Sequence, residues 1–173
     1  MYAVDYDVVI AGGGLAGLLA AREAVSKGLS VALVEEDLEI GVPEKCDGLV
    51  SMKALMCLGV IPSSKAVQNT VRRVLLYPPS GKPIEVEASK LKIVVLDRGI
   101  FDKQLARAAS SRGADIILGE RVVKAVEEEG YVRVEANRTF KSKIYIEARG
   151  TSALPVDKHK FLIPAARYDV EAR

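Results

Sequence analysis

Three glycines, Gly12, Gly14 and Gly17, carry the first chemical signal in this chain of 173 residues. They follow an apolar run, Val8-Val9-Ile10-Ala11, and lead through Leu15 and Ala16 into a stretch rich in alanine and leucine. Glycine in that spacing suits a diphosphate. The first permits a tight turn, the second lets backbone approach the phosphates, and the third lets helix and strand pack closely. The helix start then offers unpaired N–H groups and the positive end of its dipole to the anion. A second apolar run, Val31-Ala32-Leu33-Val34, ends on Glu35, 23 residues after Gly12, with Glu36 next. A carboxylate at that place can accept hydrogen bonds from a ribose.

The remaining candidates for chemistry are few. Cys46 and Cys57 lie 11 residues apart without a C-x-x-C, and His159 is the single histidine, so no metal-ligand set emerges. Cys57 stands among Leu55, Met56 and Leu58 and is expected to be a small core residue. His159 has no visible partner and reads as a surface residue. Arg72 and Arg73 read as a solvated strand face.

The elements that would position these residues follow from periodicity. Residues 6–36 form a βαβ unit, with Leu15, Leu18, Leu19 and Val25 near one helix face and Gly28 ending the helix. Its place almost at the chain's start favours FAD over a nicotinamide. Residues 36–51 have Gly41, Pro43 and Gly48 and no sustained period, which predicts a loop able to cross a bound ligand. Ser51 is expected to cap a short helix ending at Gly59. Residues 70–88 predict a hairpin, with Val71, Val74 and Leu76 in one arm, a turn at Pro78-Pro79-Ser80-Gly81, and Ile84, Val86 and Ala88 in the other. Ile93 to Leu96 form a strand, followed by a helix over 99–112. That helix buries Phe101, Leu105, Ala108 and Ala109 and carries Asp102 in its first turn. Asp115 to Leu118 predict another parallel strand. Residues 121–147 alternate as a three-stranded meander, with Ile144 and Ile146 facing a core. The stretch from Phe161 starts a strand that simply stops, which predicts the N-terminal portion of a larger protein.

Composition narrows the class. Hydrophobic residues make up 49% of the chain, charged residues 28%, and the net charge is +2, which gives no electrostatic argument for nucleic acid, since that would need a clustered basic face. There is no membrane-span pattern or signal-peptide pattern, so a cytoplasmic protein is expected. Asparagine and glutamine number only four, against abundant Lys, Arg and Glu, a bias that fits a thermophile.

Four landmarks now stand in order: GGGLAG with Glu35, the loop GVPEKCDGLVS, the segment LDRGIFDKQLARAASSRGA, and EARGTSA after the meander. Together they resemble the geranylgeranyl reductase family of FAD-dependent oxidoreductases, within the wider group built like p-hydroxybenzoate hydroxylase. The resemblance implies an α/β fold, an FAD-binding Rossmann-like βαβ with a β meander, plus the beginnings of an antiparallel substrate-domain sheet. Residues 1–69 and 89–153 would form the FAD-binding domain, and 70–88 with 154–173 partial elements of the substrate domain.

By that resemblance Gly12, Gly14 and Gly17 hold the FAD pyrophosphate and Glu35 the adenosine ribose. Arg98 reaches the phosphate or ribityl region, and Val122 or Val123 touches the adenine through backbone. Cys46 and Gly48 lie beside the isoalloxazine, with Cys46 the catalytic candidate. Gly150 and Ser152 sit on the loop after the meander. Arg149 stands where relatives commonly carry an acidic residue. The resemblance further implies an isoprenoid lipid substrate, a separate electron donor such as a ferredoxin, and transient contact with a membrane surface. The chain alone is expected to bind FAD weakly and not to turn over. Two other readings compete: a flavin monooxygenase or halogenase of the same architecture, which as a rule lacks the Cys46 loop, and a non-catalytic adenine-nucleotide module. A nicotinamide-dependent dehydrogenase is disfavoured by the meander.

Overall fold

The computed structural model describes residues 3–153; His159 and the stretch from Phe161 lie outside them. The order is β1 (Tyr6–Ala11), α1 (Leu15–Ser26), β2 (Val31–Val34), β3 (Leu49–Ser51), α2 (Met52–Cys57), β4 (Val67–Val71), β5 (Arg73–Leu76), β6 (Ile84–Glu87), β7 (Ile93–Leu96), α3 (Arg98–Ser110), β8 (Ala114–Ile117), β9 (Lys124–Glu128), β10 (Tyr131–Glu135) and β11 (Thr139–Glu147).

A six-stranded sheet in the order β8-β2-β1-β11-β10-β9 organises the fold. β1 pairs in parallel with β2 on one side and with β11 on the other, and β8 extends the parallel part beyond β2. The meander therefore does not stand apart. Its last strand runs nine residues, pairing with β10 as far as Ser142 and with β1 from Ser142 to Glu147. β1 and β2 read as unbroken apolar runs because both of their faces are covered. Val8, Ile10, Val31 and Leu33 pack toward Leu18 and Phe101, while Val9, Ala11, Ala32 and Val34 pack with Val122, Val134 and Phe140.

Several local expectations change. Cys57 is exposed, not a core residue. α2 has only six residues and buries Leu55 alone, and two positions further on the helix has turned Cys57 to the outside. Ser51 occupies the N-cap position of α2, but its hydroxyl donates to the Leu91 carbonyl at 3.4 Å instead of capping. α3 buries Ala106 in place of Ala108, and its cap is Asp97, whose Oδ1 accepts from the Ile100 N–H at 2.7 Å. Asp102 lies beyond the first turn and pairs with Arg98. Ile146 packs on the core as expected, whereas Ile144 is 49% exposed.

The predicted hairpin arm is split at Arg72. Val71 belongs to β4, in a three-stranded sheet ordered β3-β7-β4, while β5 and β6 pair only with each other. Val74 opposes Val86 and Leu76 opposes Ile84. Those four side chains share one hairpin face, because alternate residues of paired strands point the same way.

Candidate functional site

The ends of β1 and β2, the start of α1 and the segments after β8 and β11 surround one cavity of about 240 Å³. Each glycine of the loop has a separate reason. A Cβ on Gly12, at φ +106°, would lie 2.5 Å from the Ala148 carbonyl oxygen, so the loop after β11 presses directly on the glycine loop. A Cβ on Gly17 would lie 1.9 Å from the Gly12 oxygen, so this residue sets the approach of α1 to the strand end. At Gly14, the N-cap of α1, an added Cβ would meet no protein atom within 4 Å. Backbone open to a ligand at a helix N-terminus is what a diphosphate requires.

Glu35 leans back over this loop. Its Oε2 accepts from the Gly13 N–H and its Oε1 accepts from the Asp37 N–H at 2.9 Å. A carboxylate offers about four lone-pair positions, so these two bonds orient it and leave capacity for a ribose hydroxyl. Gly13, absent from the sequence expectations, is thus part of the site. An added Cβ there would lie 3.0 Å from Glu35 Oε2 and 2.6 Å from Ile40 Cδ1.

Arg98 and Cys46 also line the cavity. Arg98 donates through Nε and Nη2 to the two oxygens of Asp102, at 3.0 and 2.9 Å. Both side chains are largely buried, 14% and 6% exposed. Burial pulls the Arg98 pKa down, but the Asp102 carboxylate and a smaller contribution from Cys46 outweigh it and raise it. The guanidinium is thus fixed next to the Cys46 loop. Gly41 helps seat that loop, since an added Cβ would come within 2.9 Å of the Gly99 Cα at the start of α3.

A third group contains Arg149 and Val122, both named from the sequence, but their pairing was not legible there. Arg149 donates through Nε and Nη2 to Glu147, at 2.8 and 2.5 Å, and through Nη1 to the Val122 carbonyl at 2.5 Å. The Tyr145 hydroxyl donates to Glu147 Oε2 at 2.8 Å. Burial, then the neighbouring Glu147, pushes the Tyr145 pKa up to about 12. Hydrogen bonding from Arg149 lowers the Glu147 pKa. Nearby, Glu36 pairs with Arg121 at 3.4 Å and Glu120 with Arg138 at 3.0 Å, while Oε2 of Glu120 is buried with no hydrogen-bond partner.

The cavity brings together Gly12, Gly14, Glu35, Glu36, Cys46, Arg98, Val122, Gly150 and Ser152. Leu15, Ala16, Gly17, Gly48 and Val123 do not line it. Gly48, at φ +72°, instead packs on β7, where an added Cβ would lie 2.0 Å from the Leu96 oxygen. Val123 points to solvent while its N–H bonds the Glu135 carbonyl at 2.8 Å. Among the described residues there is no cluster of three or more acidic, cysteine or histidine side chains placed to hold a metal, and no helix long and apolar enough to cross a membrane.

Comparison with known proteins bears on this geometry. The chain is 36% identical over 129 residues to digeranylgeranylglycerophospholipid reductase 2 of Methanopyrus kandleri, covering 75% of this chain and 32% of that protein. It is 33% identical over 158 residues to digeranylgeranylglycerophospholipid reductase of Methanoculleus marisnigri, covering 86% and 39%. A solved geranylgeranyl bacteriochlorophyll reductase-like protein from Thermoplasma acidophilum superposes with a TM-score of 0.76 at 32% identity, over 85% of this chain and 40% of that one. The likeness expected from the four landmarks is therefore present, and the chain spans well under half the length of these relatives. The halogenase PltM, solved with FAD, shares the fold at a TM-score of 0.63 and 17% identity, over 91% of this chain and 36% of that one. Residues 7–155 match the family model described as FAD dependent oxidoreductase, and the chain belongs to that family.

Proposed function

We propose that this chain is the FAD-holding portion of a reductase that saturates the double bonds of isoprenoid lipids. The observation that carries the cofactor assignment is the glycine cradle, where Gly14 leaves open backbone at the start of α1 and Glu35 is oriented beside it. The residues present fit FAD. Gly12, Gly14 and the α1 N-terminus would take the pyrophosphate, Glu35 the ribose, and Val122 the adenine. Arg98 and Cys46 would face the flavin end. When bound and reduced, FAD supplies a hydride equivalent to one alkene carbon while a proton reaches the other. This chain's residues bind, orient and exclude water. The substrate assignment is supported by the likeness to the archaeal lipid reductases.

The hairpin of β5 and β6 supports a second, antiparallel domain for the substrate, since Leu76, Ile84 and Val86 are exposed on one apolar face and an isolated hairpin is marginal in water. With one nucleotide fingerprint in the sequence, electrons would come from a separate donor, a ferredoxin being the expected kind, and a lipid substrate would bring the protein to a membrane surface. Nucleic acid is not a partner in this reading.

Titration with FAD and with ADP tests the cofactor assignment. Stoichiometric FAD uptake, tighter than ADP, supports a flavin site; equal affinity for the two would favour a plain adenine-nucleotide module. A chimera tests the substrate. Residues 7–153 would replace the matching part of the Methanoculleus marisnigri relative, and lipid mass would be followed. Gain of two hydrogens per double bond supports the reading. A folded, FAD-loaded chimera that leaves the lipid unreduced overturns it.

A further inference from the structure

A second groove, of about 380 Å³, lies between the later turns of α1 and α3 and the segment after α2, and it shares no residue with the cavity described above. Both helices clamp that segment. Arg22 of α1 donates to the carbonyls of Leu58 and Gly59, at 2.6 and 3.3 Å. Gln104 of α3 donates to the Ile61 carbonyl at 2.7 Å and accepts from the Ser63 N–H at 2.8 Å. With its backbone held this way, the segment leaves Leu58 50% and Ile61 76% exposed, and Met56 just before it is 66% exposed. A single exposed apolar side chain is ordinary. Three of them between Met56 and Ile61, on backbone tied to two helices, form the kind of patch that meets a partner or a membrane.

Charge indicates which. Arg112, just past α3, lines the groove with Ile61. It spends one bond, from Nη1 to the Ala108 carbonyl at 3.2 Å, and its Nε and Nη2 have no partner among the described residues. Lys53 is exposed three positions before Met56, on the same side of α2. The one acidic side chain lining the groove, Glu23, is already paired with Arg22 at 2.7 Å. The face therefore offers cations next to bulky apolar side chains. An anionic bilayer complements both, with phosphate for the guanidinium and acyl chains for Met56, Leu58 and Ile61. An acidic protein surface would answer the cations alone.

We propose that this face docks the protein on an anionic phospholipid bilayer, with Ile61, Leu58 and Met56 entering the headgroup layer and a lipid phosphate lying against Arg112. The proposal rests on the lipid-reductase reading given above, in which the substrate is drawn from a membrane.

The test is flotation of the 173-residue chain with phosphatidylcholine vesicles, made with and without phosphatidylglycerol. The wild-type chain should float with the anionic vesicles and at least about fivefold less with the neutral ones, the worth of one cation at an anionic surface. Ile61→Glu should lower binding to anionic vesicles by about tenfold or more, and Arg112→Gln by about fivefold. Both side chains are exposed, so circular dichroism melting should be unchanged. A wild-type chain that does not float, or floats equally with both vesicles, overturns the proposal. So does undiminished flotation of folded Ile61→Glu. Capture by an immobilised acidic ferredoxin without vesicle binding would give the face to a protein and overturn it as well. In the chimera described above, Ile61→Glu should raise KM for vesicle-borne lipid and leave kcat and FAD uptake alone. Loss of fold or of FAD uptake there would mark the face as a contact with the rest of the protein, against the proposal. An FAD-loaded chimera inert toward lipid, beside a wild-type chain that still floats as expected, would remove the reductase reading and leave the docking face standing.

Discussion

Two alanine substitutions within one glycine motif should fail in opposite ways. At Gly17 an added Cβ would lie 1.9 Å from the Gly12 carbonyl oxygen, a backbone atom that cannot step aside as a flexible side chain would. Ordinary contact needs about 3.4 Å or more, so α1 must shift away from β1, and Leu18, Ala21 and Val25 lose contact with Val8 and Ile10. Overpacking of this kind costs about 1–3 kcal/mol, and the rigid neighbour places it near the upper end. For a domain of this size about 3 kcal/mol lowers Tm by roughly 6–12 °C. Gly14→Ala should leave the fold intact. The backbone at Gly14 has φ −76° and ψ −178°, extended and open to any residue, and no protein atom lies within 4 Å of the new Cβ. The weaker N-cap of alanine is offset by its lower chain entropy, each about 0.5–1 kcal/mol, so Tm should move by about 2 °C or less. The methyl would instead take space meant for the diphosphate and deny it a charge-assisted bond, weakening ADP about tenfold or more. Thermal melting followed by circular dichroism, with calorimetric ADP titration at a temperature where both variants are folded, separates the cases. Equal melting of the two variants, or undiminished ADP binding by Gly14→Ala, would refute the division of roles.

Four further expectations follow from single features. Asp102→Asn leaves the Arg98 guanidinium charged and largely buried beside a neutral partner, and should cost about 3–5 kcal/mol by urea denaturation; Arg98→Met with Asp102→Leu should recover much of that loss, and failure to recover would sink the buried-pair argument. Phe101→Ala opens a cavity under the sheet at a fully buried ring, and the same assay should register a loss of about 3–5 kcal/mol. Asp7 is held at about 2, first by the Lys143 ammonium and then by Ser30. A depressed carboxyl pKa adds stability above the unfolded value of about 4 and loses it as pH falls toward 2, so Asp7→Asn should flatten the wild-type decline in Tm across that window; an unchanged decline would count against it. Cys57 is exposed, so a single-thiol Cys46→Ser chain should react with a thiol reagent at the rate of a small free thiol without denaturant, whereas protection until unfolding would contradict its outward placement.

The chain order of β1, α1 and β2, the glycine loop with Glu35, the α3 segment and the meander could be read from local pattern, because each depends on neighbours within one turn of helix or one hairpin. Backbone freedom at Gly12 and unbroken apolar runs in β1 and β2 declare themselves in a few residues. Joining the meander to the parallel sheet through β11 could not be read that way, since it rests on pairing between Tyr6 and Ser142, far apart in the chain. Nor could the splitting of the hairpin arm, where Val71 is drawn into pairing with Ile93 on β7. Cys57 was misjudged because its apolar neighbours describe composition, while burial depends on which side of a six-residue helix meets the core.

The site divides along the same line. Residue type and spacing were enough to propose where a diphosphate and a ribose would be held, because glycine conformation and helix ends are local physics. Only the tertiary structure decided that Glu35 turns back onto Gly13, that Arg98 is locked by Asp102 and that Arg149 reaches across to the Val122 carbonyl. Charged side chains choose partners by distance and burial in the folded chain, and neither exists until the strands have come together.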